Sequence, residues 1–596
     1  MLAELYQYAL SHELTAQPGF KPKRPKAYLM LTSSGEYVGI ELRDKAAPPV
    51  MAPDIGAMAN GTRYCNILIE KACIPLGIII DPVKDKNIPT KREFYLSALE
   101  SGTADEPYFG VLAGALQNEE TVQNMRQALT DNKLKPADPI GFQVGGMALE
   151  RSDRYLNWWN TFRAQFGDAP KGELPRCLIT GQLAPALATV PKVSGLLHVG
   201  GHTSGDAFLC FDKDSFQSYG LKQSANAPVS EEAMTAVNAS LTKLIAEAEV
   251  LGNAKLVHWY SGPVPSDEEP INLVLDGWDD ANAEDDASAE TDSAADFSDE
   301  SGAMRRANKL IRSIHDGTRP ENTGAKYYML PLSGAGGRMM VRGWYEGSYD
   351  TLCRNVVQWF DDLSLVTSDG KGNTRPPKLK GLCTRLLRPG GDPKKVWDRL
   401  DQELPNLLGR ILNAIISGSA LPDEAASRAL NWIRSTMLRG SDEKSTIERE
   451  TLAFQLLKAW HRRKQQMKGE QPFMETTCNE TCRSTAYCCG RLMATYSAIQ
   501  KAAMPGVNVG VAEHYYAAAS AAPGFVIGKL SQLAQHHLAK LDGGLAHYFE
   551  DRLAEIYCTI GEQKIPSSLN MEQQTEFALG YYQQRAKLAS PKQTTI

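Results

Sequence analysis

The chain has 596 residues, 42% hydrophobic and 22% charged, a balance that suits several packed domains and excludes wholesale disorder. No apolar run approaches the roughly 18 residues of a membrane span, and the apolar start at residues 2–10 is too short for a secretory signal and lacks a small-residue cleavage site. Eleven cysteines form no paired framework in so long a chain, which fits a reducing cytosol, and the net charge of −6, taken alone, argues against nucleic acid.

Residues 17–26 (QPGFKPKRPK) mix Pro and Gly with Lys21, Lys23, Arg24 and Lys26. Such extended backbone cannot join a helix, and it is expected to leave its cations in solvent. Residues 27–42 (AYLMLTSSGEYVGIEL) predict two short strands around a Ser-Ser-Gly turn. Residues 58–71 (MANGTRYCNILIEK) place Asn60, Thr62, Arg63, Asn66 and Lys71 around Gly61. Those polar forks are the residue types that read base edges.

The negative charge is concentrated. Residues 276–300 carry 11 Asp/Glu and no Lys or Arg, so they cannot bury enough apolar surface to offset ordering entropy, and a disordered linker is expected. Without them 64 cations face 59 acids, a balance of +5. Residues 366–381 form a second basic loop. From about Val396 helical periodicity dominates, as in Leu400, Leu404, Leu407, Leu408 and Ile411, with Pro405 opening a second helix.

Residues 427–468 continue helical and turn basic at His461, Arg462, Arg463 and Lys464. Helical spacing recurs at 486–503 and 526–541. In the latter, Ile527, Leu530, Leu533 or Ala534, Leu538 and Leu541 form an apolar stripe, while Lys529, Gln532, His536 and Lys540 share another face that suits a phosphate backbone. Gly543-Gly544 is expected to stop that helix.

Catalytic motifs are sparse. There is no GxSxG elbow and no HExxH helix. Cys478, Cys482, Cys488 and Cys489 lack the paired-knuckle spacing of structural zinc sites and read as buried thiols, and Cys177 has only scattered partners. In HVGGHTSGD, the residues His198, His202 and Asp206 raise a metal-dependent nuclease as the rival reading. The Gly/Ser-rich turn itself (Gly200, Gly201, Thr203, Ser204) fits close approach to an anion or another chain better. The loop at 333–338 (SGAGGR) lacks the Gly-Lys-Ser/Thr ending of a phosphate loop. Repeated basic clusters, at 21–26, Arg338/Arg342, 371–380, 462–468 and 529–540, give nucleic-acid binding its diffuse support.

An ordered set of segments carries a family resemblance. Residues 141–162 (GFQVGGMALERSDRYLNWWNTF) resemble a strand followed by an aromatic-rich helix, and 177–186 (CLITGQLAPA) a Cys-Leu-Val-Thr-Gly element. Then come 192–195, 200–211, 216–220 (FQSYG), 226–230 (NAPVS), 341–346 (VRGWYE), 486–487, 490–492, 515–521, 533–538 and 579–583 (LGYYQ). In this order they resemble the large subunit of the type I-C CRISPR Cascade surveillance complex. Ser484-Thr485 departs from that family's Asn-Pro pair, and the N-terminal 90 residues match only loosely.

The resemblance implies a non-enzymatic, cofactor-free subunit of an RNA-guided complex in the bacterial cytoplasm. It would read the protospacer-adjacent motif in duplex DNA, help unwind it into an R-loop, hold the displaced strand and recruit the helicase–nuclease. Its implied partners are CRISPR RNA, target DNA and the handle-binding, backbone and small subunits, with no membrane. A purely structural subunit is the other alternative. On this reading Asn60, Thr62, Arg63, Asn66 and Lys71 read the motif. Lys21, Lys23, Arg24, Lys26, Lys529, His536 and Lys540 contact phosphates, and the 200–204 turn meets nucleic acid or a neighbouring subunit.

The expected fold is α+β multidomain, with a mixed α/β N-terminal and central region and a C-terminal all-helical bundle. Its parts are 1–275 for motif recognition and docking, 276–302 as acidic linker, 303–393 as mixed continuation, 394–475 as a helical region, and 476–596 as a bundle resembling the small subunit. In operons of the type the chain resembles, an internal start yields that small subunit separately; Met467, Met474 and Met493 are candidate starts.

Overall fold

A computed structural model describes residues 1–14, 19–44, 47–166, 174–187, 189–211, 213–264, 269–275, 324–390, 392–438, 443–506 and 510–590. The predicted acidic linker lies outside these residues. The architecture is α+β and divides into two compact units, one of residues 1–195, 201–246 and 335–339, the other of 196–200, 247–334 and 340–596.

The first unit opens with helix α1 (Leu2–Ser11) and strand β1 (Phe20–Lys23). Strands β2 (Ala27–Leu31) and β3 (Tyr37–Leu42) form the predicted hairpin. Gly35 takes φ +91° in its turn, a conformation that side chains with a Cβ rarely adopt. Strand β4 (Val50–Pro53) pairs with β1, and β5 (Glu70–Lys71) with β6 (Pro139–Val144), which returns parallel to β2; β7 (Met147–Ala148) closes on β6.

The central sheet runs β3-β2-β6-β5. Helices α2 (Ile88–Ser101), α3 (Pro107–Gln117) and α4 (Glu119–Asp131) form the crossover between β2 and β6. Strand alternation points Leu29, Leu31, Ile140, Phe142 and Val144 into the core with them. Asn118 caps α4 through its side-chain oxygen, 3.0 Å from the Thr121 amide. Aromatic α5 (Leu156–Ala164) adds buried Trp159 and Phe162, and α6 (Glu231–Glu247) is tied to α5 by the Arg163–Glu231 ion pair.

The second unit has a sheet built from β8 (Glu249–Leu251), β9 (Ala254–Tyr260), β10 (Lys326–Ala335), β11 (Arg338–Val341) and β12 (Tyr345–Ser348). Helices follow: α7 (Pro270–Leu275), α8 (Tyr349–Leu363), α9 (Leu379–Cys383), α10 (Val396–Glu403), α11 (Pro405–Ser417), α12 (Asp423–Met437) and α13 (Glu443–Met467). Pro405 stands at the first position of α11, as its missing N–H allows.

The terminal helices are α14 (Thr485–Ala503), α15 (Val511–Ala521), α16 (Pro523–Leu538), α17 (Gly543–Ile560) and α18 (Met571–Ala589). Ser484, the departure from the family pattern, caps α14 by accepting from the Tyr487 amide at 3.3 Å. Gly543-Gly544 does not stop α16, which ends earlier. The pair opens α17, because Asp542 caps that helix from the Leu545 amide at 2.9 Å.

Helices α14 and α18 cross with their backbones in contact. A Cβ on Gly490 would fall on the Phe577 carbonyl, and one on Gly580 on the Tyr487 carbonyl. Side chains lock the crossing: the Tyr487 hydroxyl donates to Gln583 Oε1 at 2.5 Å and buried Arg491 Nε to Gln584 Oε1 at 3.0 Å. Segments 486–487, 490–492 and 579–583, singled out by resemblance, are the two sides of this joint.

Candidate nucleic-acid interface

The 58–71 segment is anchored at both ends and exposed in the middle. Tyr64 packs against Phe94 and Phe166, with ring centroids 5.1 and 5.2 Å apart, and Cys65, Ile67, Leu68 and Ile69 are buried. Lys91 Nζ holds the other end by donating to the Ala59 carbonyl at 2.8 Å. Between these anchors Asn60, Gly61, Thr62 and Arg63 are exposed, as is Lys71 beyond them. Arg63 lies over the Tyr64 ring, 5.6 Å from its centroid. Asn66 is half-buried: its side-chain oxygen accepts from the Ile55 amide at 3.1 Å, so it shapes the loop from within.

The N-terminal cations take different partners in the fold, and one of them, Lys23, reaches this segment at Ile69. Lys21 Nζ meets Asp54 at 2.9 Å while its side chain stays 48% exposed. Lys23 corrects the expectation that these cations all stand in solvent. Its side chain is 15% exposed, and its ammonium donates to the Pro53 carbonyl at 2.9 Å and the Ile69 carbonyl at 3.3 Å beside Asp54. Burial lowers its pKa below the ordinary lysine value, against the pull of Asp54. Lys26 pairs with Asp138 at 2.6 Å and remains 56% exposed. Lys71 pairs in β5 with Pro139, the next residue, so Lys26 and Lys71 flank one end of the sheet. Arg24 is tied only loosely, to the Ala47 carbonyl at 3.4 Å. Lys21, Lys26 and Lys71 thus keep exposed charge on the unit that also exposes the fork-bearing 60–63 tip.

The 200–204 turn is tight. Gly200 has φ +85°, and a Cβ there would lie 2.7 Å from the Gly334 carbonyl oxygen. The His202 ring nitrogen Nδ1 sits 2.8 Å from Ser204 Oγ. Asp206 is fully buried, with both carboxylate oxygens 3.2 Å from the His202 amide, so it braces the turn. The neighbouring motif segments close on one another: Leu178 N–H donates to the Pro228 carbonyl at 2.9 Å, and Asn226 Oδ1 accepts from the Ser218 amide at 2.9 Å. Burial would raise the Cys177 thiol, yet the amides and hydroxyls of Ser230 and Thr180 aimed at its sulfur pull it down to about 6.

On α16 the predicted stripe is real. Lys529, Gln532 and His536 are exposed on it, as is Lys540 two residues past its end, while Val526, Ile527, Leu530, Ala534 and Leu538 are buried. Lys529 stands over the Tyr515 ring, 5.3 Å from its centroid. Phe525, on the same stripe four residues before Lys529, is 78% exposed. An aromatic next to cations on an open helix face has the make-up used where single strands are stacked. The sequence reading missed it because an aromatic in an apolar helix defaults to the core. The signal was its offset from the buried stripe.

The basic run at 462–468 is in part internal, where its sequence suggested a surface. Arg463 is 2% exposed and donates to Asp362 at 2.8 Å and the Ala414 carbonyl at 2.6 Å; Arg462 reaches the other Asp362 oxygen at 3.2 Å. Lys464 pairs with Asp423 and Lys468 with Glu572. Nearby, Lys458 is buried on the last carbonyls of α8, those of Asp361 and Asp362, and burial lowers its pKa to about 8. His461, Glu572 and Glu576 are the one metal-capable group among the described residues. Glu576 is engaged by His461 and Ser484, and Glu572 by Lys468, so the group reads as a bundle clasp. The thiols of Cys482, Cys488 and Cys489 are likewise buried, and burial pushes Cys482 and Cys489 up to about 12.

A family model described as CRISPR-associated protein (Cas_Csd1) matches residues 2–589. The chain belongs to that family. As a Csd1-family member it is a CRISPR-associated subunit of a Cascade complex, assembling with other Cas proteins, in agreement with the resemblance to the type I-C large subunit. No curated protein sequence matches the chain. Among the described residues, no helix is long and apolar enough to cross a membrane.

Proposed function

We propose that this Csd1-family subunit is non-catalytic and reads the protospacer-adjacent motif in duplex DNA through its first unit. The observation that supports this most is the exposed 60–63 tip, anchored on both sides, on a unit that also keeps Lys21, Lys26 and Lys71 exposed. Phosphate contacts fix register and polar forks discriminate bases, and these residues offer both. Asn60, Thr62 and Arg63 take the reading role, with Asn66 shaping the loop beneath them. The α16 stripe holds the displaced strand by charge, with Phe525 stacking a base. CRISPR RNA, target DNA and a helicase–nuclease are the partners on this reading, and R-loop formation follows from opening the duplex at the motif.

The test uses the assembled complex. Asn60→Ala and Arg63→Ala should each weaken binding to a motif-bearing duplex by about 5- to 100-fold, the range of one good base contact. Both should spare a target whose strands are already open. Equal losses on both targets would refute the reading role, and cleavage by the purified chain with Mg²⁺ or Mn²⁺ that vanishes in His202→Ala would favour a nuclease instead.

A further inference from the structure

The outer face of the first unit's sheet carries a built polar cavity that the motif-reading residues do not use. Register places Tyr28 of β2 opposite Glu41 of β3 and beside Gly141 of β6, with Gln143 two residues on, all on the face away from the apolar core. A cavity of about 200 Å³ opens there, lined by Tyr28, Glu41, Arg43, Gln143, Gly146 and Arg151. That is below the roughly 300–1,000 Å³ of a drug-sized site and equals the liquid volume of about seven waters. It suits a single heterocycle.

The lining is held in place. The Tyr28 ring lies over Gly141, where a Cβ would come within 2.5 Å of its Cε1. Its hydroxyl donates to buried Glu150 at 2.6 Å. Gln143 Nε2 donates to Glu41 Oε2 at 2.8 Å, which leaves the amide oxygen and the other Glu41 oxygen to accept. Arg43 is braced on the Pro48 carbonyl. Among the described residues, neither Arg43 nor Arg151 is in an ion pair.

We propose that this cavity takes one unpaired guanine base of a single-stranded nucleic acid. The inference rests on the nucleic-acid reading above but concerns a different site. Guanidinium forks match the O6 and N7 acceptors of guanine, and the Glu41 carboxylate and Gln143 oxygen match its N1–H and N2–H donors. A bare phosphate would meet Glu41, and Glu150 behind Tyr28, as like charges. The mixed lining therefore favours a neutral ring with both donor and acceptor edges. Such a pocket on a sheet face, read by edge and not by backbone, fits the way single-stranded bases are recognised.

The experiment titrates the full-length chain with 5′-labelled DNA tetranucleotides by fluorescence anisotropy. One carries a guanine, one only thymines, and one an abasic position in place of the guanine. The guanine oligonucleotide should bind about tenfold tighter than the other two. Arg43→Gln and Glu41→Gln should each remove that preference at an unchanged melting temperature, while Asn60→Ala leaves it intact. Equal binding of all three oligonucleotides overturns the proposal. So does inorganic phosphate displacing the guanine and abasic oligonucleotides alike, because the cavity would then be an anion site. A guanine preference that survives while motif-duplex reading fails would count against the proposed function alone. The converse would count against this pocket alone.

Discussion

Two groups of cations show how the same residue types serve opposite ends. In the first unit, Lys21 and Lys26 each hold one acid and keep about half of their side-chain surface in water, at 48% and 56%. In the second unit, Arg463 and Lys458 are closed off, Arg463 held by Asp362 and the Ala414 carbonyl and Lys458 by the Asp361 and Asp362 carbonyls. The first set can exchange partners for phosphate at little cost, because an exposed ion pair contributes less than about 1 kcal/mol. The second set cannot, because removing one member strands a buried charge. Partner and burial, not residue type, separate an interface from a clasp.

The strongest way to break the comparison is Asp362→Ala. It should destabilise the second unit by about 3–5 kcal/mol by stranding Arg463, whereas Arg24→Ala should shift stability by no more than about 0.5 kcal/mol. Chemical denaturation reads both, and similar small effects would mean the clasp is no clasp. Next comes Gly580→Ala. Helix propensity alone would favour alanine by about 1 kcal/mol, but the added methyl meets the Tyr487 carbonyl, so a net loss of about 1–3 kcal/mol is expected. A gain in melting temperature would disprove backbone contact at the crossing.

Lys529→Ala and Lys540→Ala probe the exposed side of the contrast. Each should leave stability alone and flatten the salt dependence of single-strand binding by about 0.7 in log–log slope; an unaltered slope removes that lysine from the strand's path.

The smallest effect is titrational. Burial works against charge on His258, but Glu269 at 2.7 Å outweighs it and raises the histidine above its ordinary 6.5. Against its own burial, Glu269 is held below the usual carboxylate value of 4.5. The histidine's contribution is complete below about 6.5 and fades as pH rises through its raised folded value. The carboxylate's is complete above about 4.5 and fades as pH falls through its lowered one. Melting temperature should therefore decline above neutrality in the parent chain, and His258→Gln should flatten that decline.

Local chemistry was legible in the sequence wherever the deciding residues were neighbours. Pro405 opening α11, the Ser-Ser-Gly hairpin and the apolar stripe of α16 follow from spacing and turn chemistry alone. Contacts between distant residues were not. Lys23 and Lys21 look alike until Asp54 and the Pro53 and Ile69 carbonyls take one inward. Arg462 and Arg463 read as a basic surface because Asp362 lies a hundred residues away. Gly543-Gly544 reads as a stop unless Asp542 is weighed as a cap. The candidate reading loop was visible as a composition, but its rigidity comes from Phe94, Phe166 and Lys91, which spacing could not connect to it.

The α14–α18 crossing also bears on where a shorter translation product could start. Its near side consists of Tyr487, Gly490 and Arg491, and its far side of Phe577, Gly580, Gln583 and Gln584. A polypeptide begun at Met467 or Met474 keeps both sides and with them the joint that ties its first helix to its last. One begun at Met493 would lose Tyr487, Gly490 and Arg491, and with them the backbone contact at Gly580 and the bonds to Gln583 and Gln584.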